Sequence, residues 1–140
     1  MKLRNIFASA VLLAITTTSV NAEIAVIVSR DNQIAKLDSD IIARIFLGKV
    51  SSFPNDEEAI AVELKKGSDV RDEFGESFLE KTPSQLNTYW SRLVFTGRAK
   101  PNQEVGSAAE MKKIIAKNPN MIGYIDAKDV DNTVRVIAKQ

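Results

Sequence analysis

Neither cysteine nor histidine occurs in the 140 residues of this chain. Without cysteine there are no disulfide frameworks and no thiol nucleophiles. Without histidine there are no Ser-His-Asp triads, no imidazole acids or bases and no zinc sites of the usual Cys/His kind. Nor does one sign of charge dominate: 19 Lys and Arg stand against 18 Asp and Glu. The concentrated positive face that nucleic acids and anionic membranes require is therefore not expected. Aromatic residues are sparse at 6%, with a single tryptophan. What remains open is carboxylate chemistry, hard-cation binding, anion binding, or no catalysis at all. The chain does hold 44% hydrophobic and 26% charged residues, the balance of a globular domain rather than a disordered one.

The first 22 residues read as a cleaved secretory signal. Lys2 and Arg4 form a positive start, Ile6 to Ile15 is an apolar or small run, and Val20-Asn21-Ala22 ends it with small residues where signal peptidase cuts. Ten apolar residues rise only about 15 Å as a helix, half of a bilayer core of about 30 Å, so cleavage is favoured over a membrane anchor. No cysteine follows the run to carry a lipid. The expectation is a periplasmic domain over residues 23–140, with no membrane insertion after cleavage. Loss of Lys2 and Arg4 leaves 17 basic against 18 acidic residues. A chain of this size buries about two-thirds of its unfolded surface, enough for one core without staples.

Along this domain, Ile24-Ala25-Val26-Ile27-Val28 is a short β-branched run suited to a strand covered on both faces. Asp38-Ser39-Asp40 offers capping oxygens to a helix carrying Ile41, Ile42, Ile45 and Phe46, which Gly48 ends. Residues 49–58 are loop chemistry, and Ala59 to Leu64 is a second strand. Ser68 caps a helix to about Glu80 with Val70, Phe74 and Phe78 on one stripe. Thr82-Pro83-Ser84-Gln85 is a capping box with proline at the first helical position, opening a helix to Phe95 whose Trp90 and Phe95 read as core. Arg98 to Val105 reads as a loop. Ser107-x-x-Glu110 opens a helix that stops at Asn118-Pro119, Met121 to Ile125 is a third strand, Asp126 to Asp131 a turn and Val134 to Ala138 a last strand. Helices grouped around a small, mostly buried sheet of about four strands define an α/β class, in one domain without repeats.

The best local candidate for chemistry is the turn from Lys65 to Arg71. Unpaired N–H groups and the helix dipole make a helix start an anion site. Gly67 permits close approach, Ser68 supplies a hydroxyl, and Lys65, Lys66 and Arg71 bring positive charge. Asp69 acts against it, because its carboxylate satisfies the dipole and repels anions. On these residues alone, a capped surface helix with two solvated lysines explains the turn more simply than a ligand site. Asp126, Asp129, Asp131 and Asn132 lack the glycine and glutamate positions of a calcium loop. The pairs Asp38 with Asp40 and Asp72 with Glu73 are accounted for by helix capping. No catalytic residues, metal ligands or cofactor are expected.

Five strings in order carry a resemblance: Ile45-Phe46-Leu47-Gly48-Lys49; Ser52-Phe53-Pro54; Gly67-Ser68 with Arg71 and Phe74; Tyr89-Trp90-Ser91 with Val94-Phe95-Thr96-Gly97; and Ile122-Gly123-Tyr124-Ile125. Together they resemble the substrate-binding proteins of phosphate-type ABC transporters, especially their short periplasmic relatives. The resemblance implies a periplasmic-binding-protein-like fold of the type II class, of which this length provides a single lobe. It implies phosphate or a similar oxyanion as ligand, bound by the Gly67, Asp69 and Val70 amides, Ser68 Oγ and Arg71, and an ABC transporter permease as partner. Asp69 and Val70 depart from the Gly-Ser-Gly-Thr form of the family's anion loop, and Leu64 stands where phosphate binders carry an upstream arginine. A non-transport interaction or assembly domain, meeting a periplasmic protein or a second copy of itself, is the alternative reading.

Overall fold

The structure is a computed structural model that describes residues 21–140. The secretory signal expected over residues 1–22 falls almost wholly outside the described residues. Five strands and four helices follow in the order β1 Ile24–Ser29, α1 Ser39–Phe46, β2 Ile60–Leu64, α2 Asp69–Phe78, α3 Pro83–Phe95, β3 Gln103–Val105, α4 Ala108–Lys117, β4 Met121–Asp126 and β5 Val134–Lys139. A short 3-10 turn, Ala127–Asp129, joins the last two strands and is opened by Asp126, whose carboxylate accepts from the Lys128 N–H.

The strands form one mixed sheet in the order β3-β2-β4-β1-β5. β2 runs parallel to β3 and β4, whereas β1 is antiparallel to β4 and β5. The sheet therefore has five strands rather than four. The additional one, β3, lies in the segment read as a loop. Gln103-Glu104-Val105 carries no apolar alternation, and it is a strand because the open edge of β2 pairs with it from Val62↔Gln103 to Leu64↔Val105. A short, charged outer strand also blunts an edge that could otherwise pair with another chain.

All six residues of β1 are buried, as its unbroken apolar run requires of a strand covered on both faces. The two covering layers are visible at neighbouring residues of β4. Gly123 faces Met111 and Ile115 of α4, and Tyr124 faces Phe46 of α1 and Phe74 of α2. Successive strand residues point to opposite faces, so α4 covers one side and α1 with α2 the other. A Cβ at Gly123 would collide with Met111 Sδ and come within 3.2 Å of Ile115 Cδ1. Gly123→Ala is accordingly expected to lower stability by about 1–3 kcal/mol, read as a reduced urea midpoint with unchanged slope.

The helix starts follow the sequence closely. Ser68, Thr82 and Ser107 each accept a backbone N–H three residues on, and Gln85 completes a capping box with Thr82. α3 is the exception to the packing expected. None of its residues is buried, Trp90 is only half-buried and Phe95 is 92% exposed. Apolar residues spread over a broad face suit a covered helix, but α3 lies against α2 and the end of α1 rather than on the sheet. Its main tie to α1 is Tyr89, whose hydroxyl donates to the Leu47 carbonyl at 2.7 Å. Trp90 and Phe95 are therefore not core residues, and Trp90 instead becomes a wall of the cleft. No helix among the described residues is long and apolar enough to cross a membrane.

Candidate functional site

A cleft of about 580 Å³ opens beyond the carboxyl end of β2, where parallel sheets commonly receive ligands. One wall is polar, built from Glu63, the turn residues Lys66, Gly67 and Arg71, and Glu104 of β3. The opposite wall is the face of α3 bearing Leu86 and Trp90. β2 and β3 position the acids, the turn positions the cations, and α3 supplies the apolar surface.

The turn is formed by Gly67, which adopts φ +84°, a conformation that side chains with a Cβ disfavour. Its fold-back lets the Ser68 N–H donate to the Lys65 carbonyl. Ser68 then caps α2, its Oγ accepting the Arg71 N–H at 3.4 Å, so the hydroxyl proton stays free to donate elsewhere. Among the described residues, no group accepts from the N–H of Gly67, Asp69 or Val70. Gly67 and Arg71 line the cleft, whereas Ser68 and Val70 are half-buried and Asp69 is exposed beside it. The five residues singled out in the sequence are thus contiguous in space, with two of them forming cleft wall.

Arg71 is more heavily engaged than a free anion ligand. Its Nη1 donates to the Leu64 carbonyl at 2.7 Å and to Glu104 Oε1 at 2.8 Å, and its Nη2 lies 3.2 Å from Glu63 Oε2. Strand register explains why two acids meet it. Glu63 and Glu104 are direct partners in the parallel β2–β3 ladder, where like charges repel. The guanidinium between them relieves that repulsion. Glu63 is 5% exposed, and burial pushes its carboxyl above the ordinary value while Arg71 opposes the shift. Neither glutamate stands out in the sequence as a site residue. Glu63 sits in an apolar strand and Glu104 in an apparent loop, and only the register places them face to face.

A raised carboxyl in the folded state means that folding takes up a proton between the unfolded and folded values. The contribution of Glu63 is therefore largest below the unfolded value and is lost as pH rises through the folded one. Urea melts across about pH 4 to pH 8 should show this decline, and Glu63→Gln should flatten it. An unchanged profile in the variant would show that Glu63 is not the group responsible.

The arrangement offers unpaired backbone donors, a serine hydroxyl and cations at one end of a half-apolar cleft, which suits reversible binding. No group of three Asp or Glu among the described residues is placed to hold a metal ion. The sequence matches no known family model and no curated protein. Solved structures, however, match at probability 1.00. An ABC-type phosphate transport receptor from Vibrio cholerae aligns with 83% of this chain at 19% identity and TM-score 0.59, and 46% of its own length is covered. A phosphate ABC transporter substrate-binding protein from Clostridium perfringens, solved with bound phosphate, aligns with 83% at 24% identity and TM-score 0.66, with 45% of its length covered. PstS from Borrelia burgdorferi aligns with 84% at 16% identity and TM-score 0.61, with 47% covered. The chain spans less than half the length of these binding proteins. At such identities the likeness concerns the fold, and it bears out the expected resemblance: this chain has the architecture of a single lobe of a phosphate-transport binding protein.

Proposed function

We propose that the chain is a periplasmic solute-binding module that holds phosphate or a similar oxyanion at the Gly67–Arg71 turn. In this reading residues 1–22 export the chain and are removed, and residues 23–140 form the working domain, which meets an ABC transporter permease. The carrying observation is the set of N–H groups on Gly67, Asp69 and Val70 that no group among the described residues accepts, with the Ser68 hydroxyl among them and the Arg71 guanidinium adjoining. Unpaired donors at a helix start, reinforced by its dipole, favour an anion. The fold likeness to proteins named for phosphate transport supports the same ligand class. Binding rather than turnover is the expected activity, since this cleft pairs its acids with an arginine and, among the described residues, sets no base beside a serine that lines it.

The affinity should be modest. Asp69 adds negative charge at the first turn, and Glu63 and Glu104 take up much of the Arg71 charge. Titration calorimetry of residues 23–140 with phosphate, sulfate and molybdate tests the reading. Heat saturating in the micromolar to millimolar range is expected, weakened about tenfold or more by Ser68→Ala, the loss of one hydrogen bond to a charged partner. No heat at millimolar ligand from any of the three anions would refute it.

A further inference from the structure

We infer that Glu104 is a built-in anion of this cleft, a carboxylate that occupies the Arg71 guanidinium an incoming oxyanion would use, together with the adjoining Lys66 amide, and is displaced when one binds. This rests on the oxyanion reading of the turn and concerns how that site is regulated. The geometry is specific to one oxygen. Glu104 Oε1 accepts from the Lys66 backbone N–H at 3.2 Å and from Arg71 Nη1 at 2.8 Å. One backbone amide of the turn and one guanidinium nitrogen are the kind of donor pair that an oxygen of phosphate takes at such a site. Glu104 thus neutralises from within the charge that would otherwise attract a ligand.

The two acids on Arg71 have different duties. The Glu63 side chain is 6% exposed, lies in β2 among core residues and holds Nη2. The Glu104 side chain is 40% exposed and belongs to a three-residue strand at the sheet edge. Glu63 is fixed by its burial, whereas Glu104 reaches solvent by rotation of its own side chain. If Glu104 swings away, Arg71 remains held by Glu63 and by the Leu64 carbonyl, with one edge of the guanidinium open to the cleft. The site is then preassembled except for the outgoing carboxylate. Apparent affinity is lowered by the fraction of molecules in which Glu104 has withdrawn, so the internal contact sets a threshold concentration for occupancy. In a binding module this would keep the cleft empty at low anion levels.

The test is an amide-resolved NMR titration of residues 23–140 with inorganic phosphate at constant ionic strength, comparing the wild type with Glu104→Gln and Glu104→Ala. The expected result is that the Lys66, Gly67 and Ser68 amides respond in all three, and that both variants bind phosphate about ten- to a hundredfold more tightly. Before phosphate is added, the Lys66 amide resonance of the wild type should lie apart from that of Glu104→Ala and move toward the saturated position when phosphate enters. Equal affinities with the same amides responding would overturn the displacement while leaving the anion reading intact. Weaker binding by the variants would overturn it too, by showing that Glu104 supports the ligand. Should phosphate move no amide of the turn in any of the three, the anion reading falls and this inference falls with it. If a variant does not fold, the wild type still decides the matter, because a Glu104 side-chain carboxyl resonance unchanged at phosphate saturation contradicts displacement.

Discussion

Arg71→Ala should cost the fold about 3–5 kcal/mol, the penalty for removing one partner of a buried pair. The Arg71 side chain is 13% exposed and that of Glu63 6%, so the carboxylate left behind has little water to turn to. It also faces Glu104 across the β2–β3 ladder with no cation between them. The cost should shrink in acid, because a protonated Glu63 no longer carries the stranded charge. Replacing both members, in Arg71→Met with Glu63→Leu, should bring stability back to within about 1 kcal/mol of the wild type or above it. Chemical denaturation of the two variants distinguishes the cases. A single variant as stable as the wild type would mean that the cluster is open to solvent and that Arg71 contributes to binding alone.

Phe74→Ala should be comparably damaging, at about 3–5 kcal/mol for the vacated volume and lost burial. The Phe74 ring is fully buried, stacks on Tyr124 with centroids 3.9 Å apart at 5°, and meets Phe46 edge-on at 4.7 Å. These contacts tie α1, α2 and β4 together beneath the cleft. The Tyr124 hydroxyl in turn accepts the Leu64 N–H at 3.3 Å, just before the turn begins. Loss of Phe74 should therefore loosen the turn as well as the core. Hydrogen exchange that quickens at Leu64 and through α2, more than at the far β5 strand, is the expected signature. A uniform acceleration would indicate that the aromatic cluster only adds global stability.

The particular residues show which parts of the molecule were readable in advance. Capping serines, the Thr82–Gln85 box and the Ile24–Val28 run act over a few residues, and each gave its element to within a residue or two. The Gly67–Arg71 turn was equally local, since a strand, a left-handed glycine and an N-cap follow one another directly. What escaped depends on partners distant in the chain. β3 is a strand only because β2 offers an edge, and Glu63 meets Glu104 only through that pairing. Arg71 appeared as a cation available to a ligand, but its two carboxylate partners come from eight residues upstream and 33 residues downstream. Trp90 carried the periodicity of a core residue, and nothing local reveals that α3 packs off the sheet and leaves it facing a cleft.

The most direct test of the account is a crystal structure of residues 23–140 at a saturating phosphate concentration set by the calorimetric titration. Tetrahedral density is expected against the Gly67 N–H, Ser68 Oγ and the Arg71 guanidinium, with the Glu104 carboxylate turned out of the cleft and Glu63 still on Arg71. An empty turn, with Glu104 still accepting from Lys66 and Arg71, would contradict it.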